Sequence, residues 1–164
     1  MNYFELFKHD YRIIQPSCIL DFHEIVQQCH TILKPEWIEE EDMLYYKKNA
    51  FSMNIDEIIE TMPRLSWSKI AYETLKRKTG SCCHFSAFLS ACLCMNNITN
   101  SIAIGSCLLN KGKYAGMRGI HYWNLVEIDG SVTNIDLCST CSDSDRNLVL
   151  TKDLFLHHVE KPFG

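Results

Sequence analysis

Two adjacent cysteines, Cys82 and Cys83, stand at the start of an apolar run, directly after Gly80 and Ser81. Serine is a favoured N-cap residue, so Ser81 would place both thiols in the first turn of a helix. The unpaired amides and the dipole at a helix N-terminus favour an anion such as a thiolate. The position indicates a nucleophile, although a free cysteine is more commonly a small buried apolar side chain.

Helical spacing separates the two thiols. Cys82 falls on the same side of the predicted helix as Phe85 and Leu89, which are large and apolar. Cys83 falls on a side of small residues that runs to Cys94 and suits close packing against another helix. If the large apolar side faces a sheet, Cys82 is the thiol directed towards it, and Cys83 is structural.

A base and its orienting partner are predicted on a hairpin. The Asp-Gly pair at 129–130 is a strong signal for a two-residue turn, which places His121 opposite Cys138 and Trp123 opposite Asp136. Because side chains alternate along strands, His121 and Asp136 then share one face as diagonal neighbours, about 7–8 Å apart at the backbone. A three-residue loop would put them on opposite faces. Taken singly, the histidine has an ordinary interpretation as a half-buried strand residue, and the aspartate as one that binds its own backbone.

The elements that must position these residues divide the chain. Helices are predicted at 22–33 (capped by Asp21), 35–51 (opened by Pro35), 54–62 and 66–78 (capped by Ser66). After the Cys82 helix, which we expect to end near 95, strands are predicted at 101–109, 120–128 and 131–137, with a glycine-rich basic loop at 111–119. Helices followed by such strands predict an α+β domain, in which the Cys82 helix packs on a small antiparallel sheet.

Composition limits the class of protein. The chain has 164 residues, 46% hydrophobic and 22% charged, with a net charge of −4. We expect one soluble domain over 1–164, with a helical part at 1–65, the motifs at 66–140 and a C-terminal tail at 141–164. The charge gives no case for nucleic acid, and no apolar run suits a membrane span. Without a recognisable secretory signal we expect a cytoplasmic protein, with non-classical delivery left open.

The nine cysteines suggest free thiols rather than a metal site. A reducing compartment keeps thiols unpaired, and an odd count rules out complete internal pairing. Cys138 and Cys141 have zinc-ligand spacing, but a structural zinc needs four ligands and no second pair has suitable spacing. His157 and His158 are adjacent, which is more typical of solvent-facing side chains. We therefore predict no bound zinc and no cofactor; a redox role for Cys83, or for Cys138 and Cys141, stays open.

Three motifs in order resemble the transglutaminase-like superfamily, in particular its compact microbial members. GSCCHFS at 80–86 is similar to the nucleophile motif, HYWNLVEIDG at 121–130 to the histidine strand and its turn, and NIDL at 134–137 to the aspartate strand. The resemblance covers about residues 70–140 and does not extend to 1–65. Two departures are Ser-Val-Thr at 131–133, where a Trp-Tyr pair is common, and Leu-Cys at 137–138, where a small hydroxyl residue usually follows.

The resemblance implies papain-like covalent chemistry on a protein or peptide substrate. Cys82 would attack an amide carbonyl and form a thioester, with His121 as acid and base and Asp136 orienting the imidazole. The Cys82 backbone amide would stabilise the oxyanion. The Trp67 indole N–H is a second candidate donor, with a core tryptophan as the alternative. Trp123 is interpreted as packing beside the triad.

The acceptor of the acyl group distinguishes the functions left open. Water would make the protein a peptidase, isopeptidase or deamidase, which the small domain slightly favours. A lysine amine would make it a cross-linking protein-glutamine acyltransferase. A binding module of the same fold, without catalysis, is a third possibility, against which the complete set of three residues argues.

Overall fold

The computed structural model describes residues 1–16, 20–35, 65–108, 118–137 and 155–163, together with Glu57 and Glu60. The helices in these residues are α1 (Tyr3–Ile14), α2 (Phe22–Ile32), α3 (Trp67–Arg77) and α4 (Cys82–Met95). The strands are β1 (Lys34–Pro35), β2 (Thr79–Gly80), β3 (Asn100–Leu108), β4 (Arg118–Ile128), β5 (Ser131–Ile135) and β6 (Phe155–Glu160). Helices with a small antiparallel sheet confirm the predicted α+β class.

Two of the helices begin where local signals in the sequence predicted. Asp21 caps α2: its carboxylate accepts from the Glu24 amide at 2.9 Å, while the Glu24 carboxylate accepts from the Asp21 amide at 3.0 Å. This reciprocal pair is a capping box, which satisfies two amides that the helix leaves unpaired. Ser66 precedes α3, which ends at Lys78 in the left-handed conformation with φ 60°.

Helix α4 lies at the centre of the fold. All of its residues from Phe85 to Leu93 are buried, so this central part of the helix has no solvent face. A helix that is apolar all round belongs in an interior, and α4 contacts α1, α2 and α3 as well as strands β3 and β4. Its end at Met95 and its packing on the sheet confirm the prediction. The buried body of α4 fixes the position of its first turn, which carries the two thiols.

The sheet has the order β5-β4-β3-β6, and each neighbouring pair is antiparallel. Asp129 and Gly130 both have positive φ, 50° and 79°, as a two-residue type I′ turn requires. The ladder pairs Asn124 with Ile135 and Ile128 with Ser131. The predicted turn length and register are therefore confirmed, and continuing the register places position 136 opposite Trp123, in the middle of β4.

Several predicted boundaries were wrong. Pro35 belongs to β1, which pairs in parallel with β2, so no helix begins at that residue. Strand β4 begins at Arg118, two residues inside the predicted loop, and β5 ends at Ile135 rather than at 137. Helix α1 was not predicted, nor was β6, which lies within the predicted C-terminal tail and pairs with β3.

Other predictions fall on residues that the structure does not describe. These are most of the helices at 35–51 and 54–62, the part of the predicted loop from 111 to 117, and the Cys138 and Cys141 pair. Within the described ranges, no helix is both long and apolar enough to cross a membrane.

Candidate active site

The first turn of α4 presents Cys82 and Cys83, and both are half-buried. Ser81 is the N-cap residue in extended conformation, and its carbonyl accepts the first helical hydrogen bond, from the Phe85 amide at 3.1 Å. The chain enters the helix from β2, where the Thr79 hydroxyl donates to the Lys34 carbonyl at 2.7 Å. The β1–β2 pair therefore holds the segment just before the thiols.

His121 and Asp136 meet at the end of the β4–β5 hairpin. His121 Nε2 lies 2.8 Å from Asp136 Oδ2, and only 8% of the histidine side chain and 13% of the aspartate side chain are exposed. The sequence placed these residues on one face, and the structure brings them into a buried hydrogen bond. Such a bond fixes the orientation of the ring and stabilises a positive charge on it.

Cys82 is the thiol that interacts with this imidazole. Burial lowers the pKa of His121, but the negative charge of Cys82 and hydrogen bonds with Asp136 and Cys82 outweigh burial and raise it to about 10. The surroundings of the ring, the Cys82 sulfur and the Asp136 carboxylate, therefore favour the protonated imidazole. Because Asp136 binds Nε2, the ring nitrogen that remains for the Cys82 sulfur is Nδ1.

Neighbouring side chains hold His121 and its strand in place. The Trp123 ring stacks on the His121 ring at 6.3 Å between centroids and 17° between planes, consistent with its interpretation as a packing residue. The Trp123 indole N–H donates to Asn134 Oδ1 at 2.9 Å, which fixes the tryptophan across the hairpin. The imidazole is thus restrained from two sides, by an aromatic face and by a carboxylate.

Asn124 is a positioning residue that the sequence interpretation missed. Its side chain is fully buried, and Nδ2 donates to the Ser86 carbonyl at 3.0 Å. This bond ties β4 to the second turn of α4, so it sets the strand that carries His121 relative to the helix that carries Cys82. Its Oδ1 is buried and has no protein partner among the described residues. An asparagine inside an apolar strand was the available signal, because a buried amide requires partners.

Cys83 belongs to a different group, which we call the helix-start cluster: Ser81, Cys83 and His84. His84 Nδ1 accepts from the Ser81 amide at 3.2 Å and lies 3.1 Å from Ser81 Oγ and 3.5 Å from Cys83 Sγ. Burial raises the pKa of the Cys83 thiol, but hydrogen bonds with His84 and Ser81 outweigh it, so the net shift is downward. A thiol with a lowered pKa therefore lies next to Cys82.

Trp67 is not placed as an open oxyanion donor. Its side chain is buried in the core, and its indole N–H donates to Glu160 Oε2 at 2.7 Å. The Trp67 ring meets the Tyr122 ring edge-on at 5.3 Å. A role for Trp67 at an oxyanion would require it to leave Glu160, so the core interpretation agrees better with the structure. The donor still available from the sequence prediction is the Cys82 backbone amide.

The described residues contain no group of three or more histidine, cysteine or acidic side chains placed to hold a metal ion. The chemistry that the arrangement supports is that of a thiol and an imidazole. Comparisons with protein-family models, with curated proteins and with solved structures find no match to this chain. The three motifs and the geometry around His121 are therefore the basis for assigning a function.

Proposed function

We propose that this protein is a cysteine enzyme of the transglutaminase-like type that hydrolyses an amide bond of a protein or peptide. The observation that carries the proposal is the buried His121–Asp136 hydrogen bond, with His121 facing the Cys82 sulfur at the start of α4. A thiol, an imidazole and a carboxylate in this order form a nucleophile, a base and the group that orients the base. The fold proposed for the domain is the transglutaminase-like one.

The reaction begins with attack of the Cys82 thiolate on the carbonyl carbon of the substrate amide. The tetrahedral intermediate collapses when His121 transfers its proton to the leaving nitrogen, and the C–N bond breaks. The amine leaves, and the acyl group remains on Cys82 as a thioester. His121, now neutral, takes a proton from water, which attacks the thioester and releases a carboxylic acid. Cys82 returns to the thiolate, and His121 returns to the cation.

The remaining residues act on charge and orientation. Asp136 keeps Nε2 of His121 hydrogen-bonded, so Nδ1 is the nitrogen that exchanges protons with sulfur, amine and water. The oxyanion forms beside the first turn of α4, where backbone amides have no helical acceptor. The Cys82 amide is the donor assigned here. Asn124 and Trp123 hold the strand and the ring that must meet the thiol.

Water is the proposed acyl acceptor, and a lysine amine is the alternative acceptor for the same thioester. The substrate class is therefore tested separately from the nucleophile. A protein extract is incubated with the wild-type chain, with Cys82→Ala and with the matched control Cys83→Ser. Proteomic mass spectrometry then records new peptide N-termini, glutamine-to-glutamate conversion, and incorporation of an added labelled amine.

Hydrolysis predicts new N-termini or deamidated glutamines with the wild type and with Cys83→Ser, and neither with Cys82→Ala. Incorporation of the amine in place of these products would make the protein an acyltransferase. Identical products from the wild type and from Cys82→Ala would contradict the assignment of Cys82. The absence of products from any form would favour a non-catalytic binding module.

A further inference from the structure

Three exposed cations lie close to the segment that carries the two thiols, in a chain whose net charge is −4. Arg77 is the last residue of α3, Lys78 is its C-cap, and Lys34 is the first residue of β1. We call this group the cationic rim. The preference of a helix C-terminus for positive charge accounts for Arg77 and Lys78, but it does not account for Lys34, which comes from a different part of the chain.

Backbone contacts hold the cationic rim together and attach it to the segment that carries the nucleophile. The Lys34 amide donates to the Lys78 carbonyl at 3.0 Å, so the two lysines are neighbours in space. Strand β1 pairs in parallel with β2, and the Thr79 hydroxyl donates to the Lys34 carbonyl at 2.7 Å. Cys82 comes four positions after Lys78, so their Cα atoms can be at most about 14 Å apart. Covalent geometry and hydrogen bonds therefore place the rim beside Cys82.

The two lysines of the cationic rim form no ion pair with another described residue. Lysines elsewhere do form such pairs: Lys69 Nζ, for example, lies 4.0 Å from Glu73 Oε1 on the same helix. Because the backbones of Lys34 and Lys78 are joined, two ammonium groups share one small region of the surface, where each adds to the attraction of an anion. The rim is therefore suited to a partner that carries more than one negative charge.

We propose that the cationic rim binds an acidic segment of the protein substrate, about four residues from the amide that Cys82 attacks. This inference rests on the proposed function, because it takes Cys82 as the nucleophile and a polypeptide as the substrate. Charge complementarity identifies the partner as anionic, and amide chemistry at Cys82 requires that the partner be a polypeptide. Aspartate and glutamate supply such charges, and an extended chain covers the distance from the rim to the thiol in about four residues.

Binding is measured first, by fluorescence anisotropy on the full chain carrying Cys82→Ala, so that no reaction with this thiol interferes. The probe is a labelled peptide with four glutamates, compared with the same peptide carrying four glutamines. We expect the glutamate peptide to bind more tightly, and its affinity to fall as the salt concentration is raised. Lys34→Gln combined with Lys78→Gln should weaken this binding by about three- to tenfold, the size typical of losing two exposed ion pairs.

The matched control is Lys8→Gln combined with Lys69→Gln, which removes the same net charge from lysines of α1 and α3. Both lysines have ion pairs of their own, with Glu5 and Glu73, and Lys69 is in the first turn of α3, at the opposite end from the rim. This control should leave the affinity nearly unchanged. An equal loss in the control and in the rim variant would overturn the inference, because binding would then reflect overall charge. Equal affinities of the parent chain and the rim variant would also contradict it.

A second measurement tests where the bound peptide lies relative to the thiol. A chloroacetyl group is attached four residues from the glutamates, and the Cys82 thiolate displaces chloride from it to form a thioether. Mass spectrometric fragmentation of the peptide that contains both thiols gives the rate at Cys82. The glutamate probe should react about three- to tenfold faster than the glutamine probe, and the rim variant should lose this preference. Tight binding without faster reaction at Cys82 would contradict the position proposed for the acidic segment.

A nucleic acid is the other polyanion that is compared. A single-stranded oligonucleotide that displaces the glutamate peptide at a concentration far below that of the unlabelled peptide would overturn the inference in favour of a nucleic-acid partner. Displacement by the unlabelled peptide alone supports the acidic segment. The proposed function fails through a different result, in which the glutamine probe reacts with Cys82 at the same rate in the parent chain and in His121→Ala.

Discussion

Two thiol–imidazole pairs lie side by side at the start of α4, and they differ in how they are assembled. Cys83 and His84 are neighbours in sequence, within the helix-start cluster. Cys82 interacts with His121 of β4, and Asp136, which follows β5, forms a hydrogen bond with the His121 imidazole. The first pair needs only one turn of helix, whereas the second needs the helix, the sheet and the hairpin register together.

The two pairs differ in whether the imidazole is free to gain a proton. His84 Nδ1 accepts from the Ser81 amide, so a proton on that nitrogen would break a hydrogen bond that caps the helix. His121 carries its proton between a sulfur and a carboxylate, where the positive charge is stabilised. Under the proposed function, contact between sulfur and imidazole is not enough, because the remaining partners of the ring decide whether it can transfer a proton.

The largest expected effect is the loss of activity in His121→Ala, which is compared with the single variant His84→Ala. His121→Ala should reduce turnover of any substrate identified by proteomics by about a thousandfold or more, because the same group serves both proton transfers. His84→Ala should cost about 1 kcal/mol of stability through the lost cap and leave most of the activity. Both variants are assayed at temperatures equally far below their unfolding midpoints. If both are folded and lose activity equally, the two thiol–imidazole pairs do not differ in function.

Asp136→Asn tests whether the Asp136 carboxylate is the reason that His121 acts differently from His84. The amide keeps a hydrogen bond to the ring, but it loses the negative charge and can impose the wrong tautomer. We expect turnover to fall by about a hundred- to ten-thousandfold with little change in the unfolding midpoint, measured by steady-state kinetics and urea denaturation. Full activity in this variant would show that His121 works without a charged partner.

The charge state of His121 can be followed by NMR, which tests whether the Cys82 sulfur acts on the ring. Its pKa is raised from the ordinary value of 6.5 to about 10, so NMR should show a protonated ring through neutral pH. Cys82→Ser keeps a hydrogen-bonding atom but removes the sulfur whose charge is the first cause that raises the His121 pKa, so that pKa should drop in the variant. A histidine with a raised pKa in the folded state adds stability below pH 6.5, and this contribution is lost as the pH rises towards 10. An unchanged titration in Cys82→Ser would disconnect the thiol from the ring.

A smaller effect is expected at Gly80, which lies directly against His84 of the helix-start cluster. A Cβ atom there would lie 2.4 Å from His84 Cβ and 2.5 Å from His84 Cγ, so the histidine cannot keep its position. Gly80→Ala should lower the free energy of unfolding by about 1–3 kcal/mol, as overpacking typically does. Urea denaturation measures this, and slower alkylation of Cys82 should accompany it. An unaltered unfolding free energy would mean that the first turn of α4 tolerates displacement.

Local signals explain why much of the candidate site was predictable. The Asp-Gly turn has one favoured length, and once that length is set, alternation along the strands puts His121 and Asp136 on one face. The glycine and serine before Cys82 mark a helix start in the same way. Each of these inferences involves residues that are close in sequence, or that a single hairpin aligns.

Contacts between distant segments account for what could not be predicted. Glu160 binds Trp67 across 93 residues, and β6 reaches the sheet edge beside β3 after a long intervening segment. No periodicity in the last 24 residues distinguishes a sheet strand from a tail. The pairing of Pro35 with Gly80 also overrides the helix-starting preference of proline. The hydrogen bond of the Trp67 indole N–H could not be predicted for the same reason, because its acceptor lies on β6.

The most direct measurement is site-resolved alkylation by iodoacetamide at mildly acidic pH, in the wild type, in His121→Ala and in His84→Ala. Mass spectrometric fragmentation of the peptide that contains both thiols distinguishes Cys82 from Cys83. We predict that Cys82 reacts far faster than the other cysteines, that His121→Ala abolishes this difference, and that His84→Ala preserves it. Faster alkylation of Cys83 than of Cys82, lost in His84→Ala and retained in His121→Ala, would assign the nucleophile to the helix-start cluster and contradict the account.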